Sequence, residues 1–114
     1  GANSMRWLFA LLLFTVPAHA VEAPATIKGE YPYACESKAR FTRIVRNSGS
    51  PATVAVAQRE LNDGIASHEG FELREGETVT MVDADLAAGL LLVKRGGRVL
   101  WTAILMTSMG DAIR

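Results

Sequence analysis

Between residues 76 and 106, apolar and polar positions fall into three short runs that read as consecutive strands. Residues 90–94 and 99–106 are rich in branched and aromatic side chains, and Gly96-Gly97 lies between them. A Gly-Gly pair supplies the positive φ of a two-residue primed turn without steric cost, so a hairpin is predicted here. The turn sets the register: Arg95 faces Arg98, Val93 faces Leu100, Leu92 lies beside Trp101 and Leu91 faces Thr102. Residues 78–82 form the preceding strand, with Val79 alternating against Thr78 and Thr80, and Asp83-Ala84-Asp85 then interrupts the pattern.

Farther upstream, two readings compete over residues 34–61. Ala39, Phe41 and Val45 alternate with Arg40 and Arg46 as in a strand; joined by Ile44, the same residues also share one side of a helix. Asn47-Ser48-Gly49-Ser50 is a turn, and residues 53–57 alternate small with β-branched, as a second strand would. The helical alternative opens at Ser50-Pro51 and closes at Asn62-Asp63-Gly64. The β-branched residues and the symmetrical turn favour the hairpin. Residues 61–69 read as a loop or short helical turn, 71–73 as a short strand, 74–77 as a turn and 108–114 as a polar tail. Strands spaced about eight to twelve residues apart predict a mainly β fold, a small antiparallel barrel or sandwich ending in a three-strand meander.

The N-terminal region changes the picture. Residues 1–4, ahead of Met5, read as a cloning remnant. Met5-Arg6, the apolar run 7–16 and Ala18-His19-Ala20 make the three parts of a secretory signal at residues 5–20, with cleavage expected after Ala20. The run is half the roughly 20 residues a membrane-spanning helix requires, so membrane contact is expected only through the uncleaved signal. The expected location is periplasmic or secreted. Residues 21–32, carrying Pro24, Gly29 and Pro32, read as an extended leader, and 33–114 as a single β domain.

Composition then removes several chemistries. Twelve basic and twelve acidic residues balance, so no electrostatic argument favours nucleic acid. Cys35 is the sole cysteine; it forms no intrachain disulfide and is read as a buried free thiol, the alternative being a link to another chain. Beyond the signal one histidine remains, His68, too little for a zinc site, and Asp83-Ala84-Asp85 lacks the glycine and glutamate spacing of a calcium loop. Ser67-His68-Glu69 holds triad residue types as neighbours, whereas triads form by spatial convergence. No phosphate loop or dinucleotide fingerprint is present. The expectation is no catalytic residue, no metal, no small-molecule cofactor and no enzymatic activity.

The hairpin offers a different kind of site. Leu90, Leu92, Trp101 and Ala103 share one face; Leu91, Val93, Leu100 and Ile104 share the other, so both are apolar. Either the chain covers the second face or a partner does, and burial of a Leu or Ile is worth about 1.5–3 kcal/mol. Association with a protein partner or a second copy is therefore expected through Leu91, Leu100 and Trp101. Lys94, Arg95 and Arg98 at the tip would set orientation, and the like-charge pair Arg95–Arg98 is tolerated on a solvated tip or beside a carboxylate.

Leu73, Gly76, Val79 and Val82, followed by Gly89, Leu92-Val93, Gly97-Arg98 and Trp101, resemble the latter part of bacterial Src-homology-three-like barrels. Leu100 stands where that family has glycine before the tryptophan. The resemblance implies an exported binding or assembly module of the cell envelope. A second segment, Tyr33-Ala34-Cys35-Glu36 with Trp101-Thr102 and Gly110-Asp111-Ala112, is similar to periplasmic inhibitors of c-type lysozyme, without their inhibitory Ser-Gly-x-x-Tyr loop or second cysteine. That alternative implies an enzyme inhibitor.

Overall fold

The hairpin forms in the register its turn dictates. In the computed structural model, which describes residues 22–112, β5 (Leu90–Arg95) pairs with β6 (Arg98–Ala103), Arg95 opposite Arg98 and Leu91 opposite Thr102. Gly96 has φ +62°, which a side chain would strain.

β4 (Thr78–Asp85) lies antiparallel to β5 and runs through Asp83-Ala84-Asp85 instead of stopping there. The register shifts between Met81 and Asp83, leaving Val82 as the extra residue of a bulge. Strict alternation would send Asp83 and Asp85 to the same face as Val79 and Met81, which is core. The bulge reverses the alternation, so Asp85 pairs with Leu90 on the opposite face and reaches Lys38 at 2.6 Å.

Among the described residues, six antiparallel strands form one sheet in the order β1-β4-β5-β6-β2-β3, and the domain is mainly β as expected. Residues 21–32 are not a detached leader. β1 (Ala23–Thr26) pairs with β4, and Ala25 and Ile27 are fully buried. Ile27 also bridges to Thr107, with Lys28 N–H donating to the Met106 carbonyl and Ser108 N–H to the Thr26 carbonyl. The chain beyond β6 thus returns to β1 and curls the sheet over a core that includes Leu73, Val79, Leu91, Val93 and Leu100. The polar tail supplies a final helical turn, α3 (Met109–Ala112), with Met109 packed on that core.

The hairpin expected over residues 34–61 is instead two helices inserted between β2 (Tyr33–Cys35) and β3 (Gly70–Glu72). α1 (Lys38–Ser48) starts at Ser37, whose Oγ accepts a hydrogen bond from Arg40 N–H at 3.1 Å. α2 (Val54–Ala66) follows after Pro51. The β-branched Val45, Val54 and Val56 that suggested strands are surface residues; Phe41, Ile44, Ala57 and Leu61 make the helical stripe that packs down. They meet Cys35 of β2 and Leu90, Trp101 and Ala103 of the hairpin on the other face of the sheet. Gly70 backs onto α2 so closely that a Cβ there would lie 3.2 Å from the Gly64 carbonyl carbon.

Candidate functional site: a groove between the helices and the sheet edge

The hairpin faces are not free. Leu91 and Leu100 are 1% and 0% exposed inside the curled sheet, so neither can meet a partner while the domain is folded. Trp101 belongs to the core beneath the helices, with the Lys38 ammonium 4.8 Å from its ring centroid. The chain itself supplies what the apolar faces needed: the curl covers one and the helical pair covers the other.

The cationic tip is also answered from within. Arg95 Nε bonds Glu77 at 3.1 Å, and Arg98 pairs with Glu36 while its guanidinium lies 4.9 Å over the Phe71 ring. Each arginine of the like-charge pair therefore has its own carboxylate, while Lys94 is exposed on the surface.

Cys35 is fully buried on β2 opposite Trp101, and burial pushes its thiol from 9.0 up to about 11. Neighbouring Tyr33 is pushed, again chiefly by burial, from 10.0 to about 12. Both groups are held neutral, so the stability they contribute is complete below their unfolded values and lost as pH rises toward 11 and 12. The urea midpoint is expected to fall between about pH 8 and pH 11, with Cys35→Ala removing the earlier part of the fall; a flat profile would contradict the burial.

His68 does not approach a catalytic arrangement. It occupies the left-handed region at φ +62° just beyond α2, where its N–H donates to the Ile65 carbonyl and Glu69 N–H donates to Gly64. Those two bonds are a helix-terminating Schellman motif, and a non-glycine residue there costs about 1–2 kcal/mol. Beside it, Arg40 bonds Glu69 at 3.1 Å and lies 3.8 Å from Glu60, to which Arg43 donates at 2.7 Å. The Arg43 hydrogen bond holds the Glu60 carboxyl below its ordinary range. These pairs tie α1, α2 and the start of β3 together; among the described residues no cluster of metal-ligating side chains occurs.

A concave surface lies elsewhere, where residues 30–33 and β3 meet α2. One part, about 320 Å³, is lined by Glu30, Pro32, Glu72 and Leu73. A second part, about 170 Å³, runs between the helices over Ile44, Val54 and Ala57. Tyr31, Tyr33, Gln58 and Leu61 line both, so the two parts form one groove. Tyr33 is fixed at its base against Phe41, ring centroids 5.1 Å apart. Tyr31, in contrast, is 86% exposed at the rim.

Sequence reasoning missed this groove because it treated residues 21–32 as leader and residues 53–57 as strand. The signal available was Tyr31-Pro32-Tyr33, two aromatic rings held by a proline in an otherwise polar stretch. No family model matches this sequence, and no curated protein or solved structure matches it either.

Proposed function

We propose that this protein is an exported, non-enzymatic binding module of the cell envelope that acts by holding a segment of a partner protein in the groove beside Tyr31. The observation that carries the reading is Tyr31: a large aromatic standing almost fully exposed above an apolar floor of Tyr33, Ala57 and Leu61. Aromatic side chains at such positions concentrate binding energy once a partner displaces water from them. Export rests on the signal pattern at residues 5–20, which lies outside the described residues. The absence of chemistry is argued from Cys35 and His68, one buried and protonated, the other on an exposed helix end.

A photo-reactive phenylalanine at position 31, introduced in the organism that makes the protein, tests the reading. A discrete heavier adduct is expected from position 31 and not from Val99, which is exposed on the hairpin. Gln58→Trp, a surface change that fills the groove without touching the core, should abolish the adduct. Absence of an adduct from position 31, or the same adduct from position 99, would overturn it.

A further inference from the structure

The two parts of the groove differ in chemistry, and the difference specifies an occupant. The part between the helices is walled by Ile44, Val54, Ala57 and Leu61 and holds about 170 Å³. An apolar cavity of about 150 Å³ accommodates a benzene ring, so this part takes one aromatic or large aliphatic side chain. The other part is flanked by Glu30 and Glu72, both exposed; among the described residues neither carboxylate enters an ion pair. Most other carboxylates near the helices and the hairpin tip are answered by an arginine or lysine, as Glu36, Glu60, Glu69, Glu77 and Asp85 are. Two uncompensated negative charges beside an apolar slot repel phosphate and anionic lipid and attract a cation.

Resting on the docking role proposed above, we infer that the occupant is an extended protein segment carrying a large apolar side chain close to a lysine or arginine. The apolar group enters the slot under Tyr31, and the cation lies over Glu30 and Glu72. Glu72 ends β3, the edge strand of the sheet, and Leu73 follows it, so the segment runs along that edge. The apolar contact supplies most of the affinity, and the carboxylates discriminate between partners of opposite charge.

Amide-resolved NMR titration with capped pentapeptides tests this. The first set carries phenylalanine followed two or three residues later by arginine. A second replaces the arginine with glutamate, and a third replaces the phenylalanine with alanine. Saturable shifts are expected at Tyr31, Gln58, Leu61 and Glu72 with the first set. Affinity should drop by about tenfold or more for each replacement, and the charge effect should shrink at high salt. In the double variant Glu30→Lys, Glu72→Lys, both positions being exposed, the preference should reverse toward the glutamate peptide. Equal binding of arginine and glutamate peptides would overturn this partner chemistry. If position 31 crosslinks while the peptides show no charge preference, the groove is a docking site for another kind of segment. If position 31 does not crosslink, both readings fail. Groove shifts that grow with protein concentration alone would assign the groove to a second copy and overturn the inference.

Discussion

Leu100→Lys is expected to yield a chain that does not fold. Leu100 is fully buried opposite Val93 in the centre of the hairpin, within the core that joins β1, β4 and β5. The substitution forfeits about 1.5–3 kcal/mol of apolar burial and places an ammonium where no carboxylate is available, at a further cost of several kcal/mol. A domain of this size has about 5–10 kcal/mol in total, and its single cysteine provides no disulfide to hold it. Far-UV circular dichroism of the variant should lose the β signal, and Trp101 emission should shift to that of a solvated indole. A native spectrum with a changed oligomeric state would mean instead that this face meets a partner. Leu91→Lys should behave in the same way.

Phe41→Ala is expected to cost about 3–5 kcal/mol and to loosen the helical pair from the sheet. Phe41 is fully buried and holds α1 against Tyr33 and the rest of the core beneath the helices. No second large residue on α1 can fill the void; Ile44 is already engaged and Val45 points outward. Because Lys38 sits over Trp101, the change should register in tryptophan emission as well as in the denaturation midpoint. Val45→Ala, on the exposed side of the same helix, should move the midpoint by no more than about 0.5 kcal/mol. Equal effects from the two would mean that the helix packs by some other face.

The difference between these two helix positions also explains what could be read in the sequence. The β5–β6 hairpin was legible down to individual pairs because its turn chemistry and alternation are local. The same holds for the division of Leu90 and Trp101 from Leu91 and Leu100 between two faces. The helices were not legible, because strand propensity was read from Val54 and Val56, which face water and decide nothing about packing. The burying residues Phe41, Ile44, Ala57 and Leu61 are spread over two elements, and each alone is a weak signal. β1 was hidden for a different reason: it is a short run containing Pro24, and its strand pairing is with residues 78–81, far along the chain. The bulge at Val82 left no turn residue to announce it. The groove is lined by residues 30–33, the two helices and residues 72–73, so with the helices unread it was invisible. The proposed contacts at Leu91 and Leu100 failed because the sequence could not show that the chain folds over its own hairpin.

The return of the chain to β1 has a consequence for how the domain comes into being. Thr26 N–H bonds the Ser108 hydroxyl across 82 residues of sequence, and the Ile27–Thr107 bridge sits beside it. The meander of β4, β5 and β6 needs only neighbouring residues and can assemble early, whereas β1 waits for β4, far along the chain, and the closure beside it is complete only once residues 106–108 exist. Long-range closure of this kind is slow because loop entropy is lost before any contact repays it. During synthesis, the first of the described strands to emerge is thus the last to be locked. Until then the inner face of the meander, with Leu91, Val93 and Leu100, is open to any other apolar surface it meets.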